Sequence, residues 1–142
     1  MSNQIVIDSG FKTYEVVNER KELIGKISFN PSDANIVHRY QEVVEDLEKL
    51  DFNFETENTE EFAEKMNQLE RVVFEKIDYL VNAEIAETFF SIMGPFSPLA
   101  SGQFFVESVI NAIGQAITQE TGRRVKRINQ KIQKHTGKYR HG

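Results

Sequence analysis

The 142-residue sequence carries 17 Lys and Arg against 22 Asp and Glu, is 39% hydrophobic and has no Cys. That length suits one domain with a single core, and the lack of Cys excludes disulfides, thiolate metal sites and cysteine nucleophiles. No apolar run approaches the roughly 18 residues of a membrane helix, and the first residues lack the pattern of a secretory signal, so we expect a cytoplasmic protein.

Charge is unevenly distributed along the chain. Residues 101–142 contain eight Lys or Arg and two Asp or Glu, whereas residues 1–100 contain the other nine basic and twenty acidic residues. Such a division is typical of a basic tail that binds nucleic acid, of assembly through opposite charges, or of helices with differently solvated faces. Composition leaves these three interpretations open.

Three short segments rich in β-branched and aromatic residues begin the chain. Residues 4–8, 13–18 and 23–29 are separated by Ser9-Gly10 and by a polar run. This spacing predicts a small antiparallel β-meander. Apolar and polar residues alternate in the second and third segments, so one face of the sheet is expected to be buried and the other exposed.

The first predicted helix follows Asn30-Pro31-Ser32-Asp33 and runs to about Leu50. Short polar side chains can accept hydrogen bonds from the free N–H groups of a first turn, and proline is tolerated there. The apolar residues recur at spacings of three and four, so they form one stripe. That stripe consists of Ile36, Val37, Tyr40, Val43, Val44, Leu47 and Leu50.

A second helix is predicted from Asn58 to about Val81, because Glu61 completes a capping-box pattern with Asn58. Glutamates in the first turn suit the positive end of the helix dipole. Their spacing does not match a calcium-binding loop, so we interpret them as a solvated acidic face. The expected buried stripe is Phe62, Met66, Leu69, Val73, Ile77 and Leu80.

The last third of the chain predicts a short helix over residues 83–93, which Gly94-Pro95 ends. One long helix is then predicted over residues 103–140. It changes from phenylalanine-rich to strongly basic after Gly122. This helix is the element around which we expect the other segments to be arranged.

These elements predict an α+β fold that is mainly α. A small N-terminal β-meander over residues 1–30 packs on a body of about four helices, the last of them long and basic. The whole chain is expected to be a single domain, with the helical body over residues 31–122 and a basic helix end and flexible tail over residues 123–142.

Patterns typical of catalysis, cofactors or metals were not found. The sequence contains no phosphate-binding glycine loop, and its serines lack a GxSxG setting or a nearby histidine. His38 has no second His or Cys at ligand spacing, so we interpret it as a surface residue. We therefore expect a protein that is not an enzyme and needs no catalytic residue, cofactor or metal.

Candidate partner-binding residues lie beside the Gly94-Pro95 break and along the basic segment. They are Phe89, Phe90, Phe96, Phe104, Phe105, Val125, Ile128 and Ile132. The candidate electrostatic contacts are Arg123, Arg124, Lys126, Arg127, Lys131 and Lys134. For the phenylalanines, burial in the core is the alternative interpretation. The narrow apolar line within the basic segment can dock on a partner or on a second copy, so we expect self-association.

The predicted elements follow one another in a definite order. The chain begins with strands, continues with a helix that follows residues 29–33, and then has an acidic central helix. A segment with Glu, Ile and Phe ends at a glycine, at 83–94, and the last helix turns basic, at 103–140. This order of features resembles that of tail assembly chaperones of long-tailed bacteriophages that infect Gram-positive hosts. The resemblance implies a non-enzymatic cytoplasmic helper. It would bind the tape-measure protein and keep it soluble until tail-tube subunits replace it.

Two other functions stay open. One is a small nucleic-acid-binding protein that places its basic C-terminal helix on phosphates, and the other is an oligomeric structural phage protein. Tyr139 is the single aromatic residue within the basic run, and the acidic body would repel phosphates, so both observations disfavour nucleic acid. Sequence alone does not separate the structural protein from the chaperone.

Overall fold

A computed structural model describes residues 3–52 and 58–122, together with the backbone of residues 133 and 134. In chain order the elements are β1 (Lys12–Val17), β2 (Leu23–Phe29), α1 (Ile36–Glu48), β3 (Asp51–Phe52), α2 (Thr59–Val81), α3 (Ala86–Phe90), α4 (Phe105–Thr121) and β4 (Gln133–Lys134). The described part is an α+β fold that is mainly helical, with an N-terminal antiparallel hairpin. The predicted fold class is confirmed.

The hairpin pairs β1 with β2 from Lys12 opposite Phe29 to Val17 opposite Leu23, with an irregularity between Val16 and Val17. Its turn is organised by one side chain: the Asn18 amide oxygen accepts hydrogen bonds from the N–H groups of Arg20 and Glu22, at 2.9 and 3.0 Å. Asn and Asp commonly organise turns in this way. The bounds of β2 are those that the alternating pattern predicted.

The prediction of a first strand over residues 4–8 is wrong. This segment is irregular and exposed, so the expected three-stranded meander is a two-stranded hairpin. The turn supplies a reason, because Gly10 has φ +76° while Ser9 is not in the positive-φ region. A positive φ at the second turn residue alone belongs to the type II turn, which splays the two strands of a tight hairpin.

The core lies where one face of the hairpin and helices α1, α3 and α4 meet the second half of α2. Tyr40 is at its centre, fully buried, and its hydroxyl donates to the Ile110 carbonyl oxygen at 3.2 Å. Ile36, Val43, Val44 and Leu47 of the predicted α1 stripe are fully buried with it. Within the described ranges, no helix has the length and apolarity that a bilayer span requires.

Helix α1 begins at Ile36, a few residues later than the polar start signal indicated. The polar side chains shape the preceding turns instead: the Asn30 amide oxygen accepts from the Ser32 N–H, and the Asp33 carboxylate accepts from the Asn35 N–H, both at 2.9 Å. Local side-chain hydrogen bonds of this kind compete with helix formation. The start signal therefore marks the loop that leads into the helix.

Arg39 joins the start of α1 to the end of α2. Its guanidinium donates to the Asp33 carboxylate and to the Leu80 carbonyl oxygen, each at 3.0 Å, and its side chain is largely buried. The Asn35 N–H and then the Arg39 guanidinium hold the pKa of Asp33 below its ordinary value. One side chain thus satisfies a helix-end carbonyl and a carboxylate in a separate element.

Replacing Arg39 by Met should lower the free energy of unfolding by about 1–2 kcal/mol, because two charge-assisted hydrogen bonds are lost. Urea unfolding at neutral pH measures the loss, and the exposed Arg71→Met is the control, expected to change stability little. Because the pKa of Asp33 is lowered, its ionised form stabilises the fold at pH values above the ordinary aspartate pKa, and this stabilisation is lost as pH falls through the folded value. The difference in stability between the wild type and Arg39→Met should therefore shrink below about pH 4. A difference that grows in acid would contradict this assignment.

Helix α4 ends at Thr121, so the prediction of one continuous helix over residues 103–140 is wrong. Gly122 adopts φ +71°, and its N–H donates to the Thr118 carbonyl oxygen at 2.9 Å. A glycine in the left-handed conformation is a common helix stop. Farther along, the backbone of Gln133–Lys134 is extended and pairs in parallel with Asp51–Phe52. The apolar periodicity that continues beyond Gly122 therefore does not belong to α4.

Candidate protein-binding site

The first half of α2 extends past the end of α1 and contains no fully buried residue. α2 has 23 residues and α1, against which it packs, has 13, so α2 is about 15 Å longer at 1.5 Å per residue. The fully buried residues of α2 are Val73, Ile77, Leu80 and Val81, all in its second half. Residues 59–72 are named the α2 overhang from here on.

The α2 overhang carries an apolar stripe that the chain covers only in part. Phe62, Met66 and Leu69 share one helix face with Val73, at spacings of three and four. The sequence predicted them as buried, but Phe62 is 39% exposed and the other two are half-buried. Met66 and Leu69 pack against the edge of the core, and all three side chains keep part of their surface in water. They form a candidate surface for a partner.

The overhang is helical because its own sequence stabilises it. The Asn58 side-chain oxygen accepts hydrogen bonds from the N–H groups of Glu60 and Glu61, at 2.9 and 3.1 Å. This confirms Asn58 as the predicted N-cap. Glu60 and Glu61 also favour the positive end of the helix dipole, and Lys65 lies 3.6 Å from Glu61 one turn later. An apolar stripe is thus presented on a preformed helix.

Polar contacts hold the second half of α2 on α1. Lys76 forms an ion pair with Asp46 at 2.8 Å, and the Tyr79 hydroxyl donates to the Glu42 carboxylate at 2.6 Å. The hydrogen bond to Glu42 raises the pKa of Tyr79 above its ordinary value. Together with Arg39, these contacts fix the direction in which the α2 overhang projects.

A second apolar surface is the groove between the hairpin and α4, named the hairpin groove from here on. It has a volume of about 240 Å³. Its apolar lining includes Tyr14, Val16, Ile27, Phe29, Phe89 and Ile113. Lys12 of β1 also forms an ion pair with Glu120 of α4, at 2.6 Å. Burial raises the pKa of the Tyr14 phenol, in keeping with its apolar surroundings. The hairpin face and α4 leave apolar surface between them.

The phenylalanines predicted as partner-binding residues are packed together. Phe89, Phe96 and Phe104 are buried, and Phe90 and Phe105 are half-buried against the core. Ring centroids are 5.6 Å apart for Phe96 and Phe104, and 6.0 Å apart for Phe90 and Phe105. This geometry favours the core interpretation, although Phe90 and Phe105 keep part of their surface exposed.

The basic and apolar candidates of the C-terminal segment fall outside the described side chains. They are Arg123, Arg124, Val125, Lys126, Arg127, Ile128, Lys131 and Ile132. Lys134 belongs to β4, where its backbone lies opposite Phe52. Their partner-binding and electrostatic roles stay predictions.

An acidic cleft of about 770 Å³ lies where α2, α3 and β2 meet, lined in part by Phe74, Asp78, Glu84 and Glu87. The Asp78 carboxylate has a structural role there, because it accepts hydrogen bonds from the N–H groups of Ile85 and Ala86, at 2.8 and 2.7 Å. These bonds stabilise the start of α3. Among the described residues, no three His, Asp or Glu side chains are grouped as a metal site would require.

Sequence patterns placed the residues of the α2 overhang on the correct helix face but misjudged their exposure. Hydrophobic periodicity shows which side of a helix is apolar, but it does not show how far a neighbouring helix extends. The lengths of the predicted helices did contain this information, because the predicted second helix was several residues longer than the first. A helix that extends past its neighbour depends on other elements to cover the rest of its stripe.

Comparison of the chain with protein-family models, with curated proteins and with solved structures gave no match. What this protein does is therefore inferred from its own geometry and from the order of its elements.

Proposed function

We propose that this chain is a non-enzymatic protein that covers the apolar face of a partner helix, and that it acts in the host cytoplasm as a phage tail assembly chaperone for the tape-measure protein. The observation that carries the proposal is the partly covered stripe of Phe62, Met66 and Leu69 on the α2 overhang. An amphipathic helix laid along this stripe removes apolar surface from water on both partners. The resemblance in element order supports the identity of the partner.

Charge favours a partner helix with basic flanks. The α2 overhang contains Glu60, Glu61, Glu64 and Glu70 against Lys65 and Arg71. Complementary charge speeds encounter and fixes the orientation of a partner more than it adds affinity. The apolar stripe supplies the attraction, and the acidic border selects among amphipathic helices.

The size of the surface also suits a reversible helper. Fourteen overhang residues span about 21 Å, and one helix of that length buries much less than the 1,200–2,000 Å² or so of a stable interface. A single contact is therefore weak. A very long helical partner offers many such contacts, and neighbouring copies that also associate with one another would hold it through avidity. Tail-tube subunits could then displace the helper one copy at a time.

Introducing charge into the stripe with Phe62→Asp and Leu69→Asp together should weaken binding of the tape-measure protein by more than about tenfold, because two apolar contacts are lost. The partner to use is the very long helical protein that the proposal expects to be encoded beside this chain. The measurements are its soluble fraction on co-expression and its affinity for the purified chain.

Asn67→Asp is the matched control, because it adds negative charge to the opposite face of the same helix and should leave binding nearly unchanged. Equal losses in the control and in the stripe variant would argue against the stripe. If the chain fails to bind the helical protein and instead binds duplex DNA with a steep salt dependence, the nucleic-acid function replaces the chaperone.

A further inference from the structure

The residues just before the hairpin, 4–8, form an exposed apolar arm, named the N-terminal arm from here on. Ile5, Val6 and Ile7 are 94%, 88% and 77% exposed. Three consecutive β-branched residues have a strong preference for strands, yet the segment pairs with no strand in the described part of the chain. So much exposed apolar surface on a β-prone segment is typical of a strand that pairs with another chain.

The N-terminal arm does not pair with its own β1. The Asp8 carboxylate accepts a hydrogen bond from the Gly10 N–H at 2.9 Å. Gly10 lies against Asn30, whose nearest atoms would be 2.9 Å from an added Cβ. Asn30 directly follows β2, so the chain just before β1 still lies beside the end of β2 at Gly10. A tight hairpin between the arm and β1 is further disfavoured by positive φ at Gly10 alone.

A place for such a strand exists on β1. Within the described ranges β1 pairs with β2 alone, so its outer edge presents backbone donors and acceptors for another strand. The hairpin groove runs under the same strand, between Tyr14 and Val16 on one side and Ile113 on the other. An added strand with branched apolar side chains would meet backbone partners and an apolar groove together.

We propose that the N-terminal arm of one copy adds as a third strand to the outer edge of β1 in a second copy. Side chains alternate along a strand, so Ile5 and Ile7 enter the hairpin groove while Val6 lies on the other face of the sheet. Val17 is exposed on β1 and also lines the hairpin groove, so it adds apolar surface beside the added strand. The added strand brings apolar cover to surface that the monomer leaves in water.

A second copy is the occupant that the geometry favours. Pairing between two copies does not require the turn at Gly10, which disfavours pairing of the arm with its own β1. Each copy also has both an arm and an unpaired β1 edge. Two arms can therefore exchange around a twofold axis, which closes the assembly at two copies and pairs the outer edge of β1 in both. The inference uses no residue of the α2 overhang, so it stands or falls separately from the proposed function.

The first test measures self-association of the full chain by sedimentation velocity over a concentration series. Ile5→Asp with Ile7→Asp should weaken the dimer on the order of 100-fold or more, since each buried Ile contributes at least about tenfold. Ile92→Asp is the control, because Ile92 is an exposed apolar residue remote from the arm in sequence, and it should leave the dimer intact. A wild-type chain that stays monomeric, or a dimer that tolerates both arm substitutions, overturns the proposal.

Cysteine crosslinking gives the second test, since the chain has no Cys. Paired residues of adjacent strands lie about 4.5–5.5 Å apart, within reach of a disulfide. Val6→Cys chains mixed with Glu15→Cys or Thr13→Cys chains should form a crosslinked dimer under mild oxidation, whereas Ile92→Cys mixed with Glu15→Cys should not. In a chain with both Val6→Cys and Glu15→Cys, an internal disulfide that keeps the protein monomeric would show that the arm folds back, and the proposal would fail.

Discussion

Replacing Gly114 by alanine should destabilise the protein by about 3 kcal/mol, although alanine is normally the better helix former. An added Cβ at Gly114 would lie 2.5 Å from the Tyr40 hydroxyl oxygen and 2.8 Å from its Cζ atom. Tyr40 is fully buried and its hydroxyl is hydrogen-bonded to Ile110, so the ring has little room to move. Either α1 and α4 must separate or Tyr40 must leave its position.

Urea unfolding measures this loss, and a double-mutant cycle assigns its cause. Tyr40→Phe alone should cost about 1 kcal/mol, because it removes one buried hydrogen bond. In the Tyr40→Phe background, Gly114→Ala should cost about 1 kcal/mol less than it does in the wild type, since the closest atom is gone. Gln115→Ala, one residue along on the exposed side of α4, is the control. Additive effects of the two substitutions would show that the hydroxyl is not the obstacle.

Replacing Phe29 by alanine should cost about 3–5 kcal/mol, the usual result of deleting a buried aromatic side chain. Phe29 is 1% exposed, and its ring stacks on Tyr14 at a centroid distance of 5.2 Å. It stands at the last pair of the hairpin ladder, opposite Lys12, and it also lines the hairpin groove. The substitution should therefore loosen the hairpin from the helices as well as lower global stability.

Thermal or urea unfolding gives the free energy, and hydrogen exchange gives its distribution. Amides of β1 and β2 should lose protection more than amides of α1. Val17→Ala is the matched control, because Val17 lies in the same hairpin but is exposed, and it should cost less than about 1 kcal/mol. A Phe29→Ala variant that loses as little as the control would mean that the hairpin contributes little to the core.

Local signals in the sequence predicted much of the fold. Alternation located β2, and the capping pattern at Asn58 located the start of α2, because both depend on residues within a few positions of each other. The Gly94-Pro95 pair correctly separated α3 from α4, since proline lacks the donor that a continuing helix requires. These features needed no knowledge of the rest of the chain.

Errors arose where the outcome depended on a neighbour or on turn geometry. Residues 4–8 have strand propensity, yet a strand needs an edge to pair with, and positive φ at Gly10 alone does not suit a tight hairpin with β1. Gly122 ends α4 because it adopts the left-handed conformation. The sequence did not distinguish it from the other glycines, because the apolar periodicity continues beyond it. The phenylalanines near Gly94 were open to two interpretations, and their mutual packing favours the core.

By itself the sequence determined the class of the fold, the start of α2 at Asn58, and the helix faces that are apolar, because hydrogen bonding and side-chain periodicity act over short distances. Only the tertiary structure decided which apolar residues are covered. Phe62 and Val73 belong to one stripe of one helix, yet Val73 is fully buried and Phe62 is 39% exposed, since the second half of α2 packs in the core and the first half extends past the end of α1. Burial depends on the relative lengths and positions of separate elements, and it is burial that separates a core residue from a binding surface.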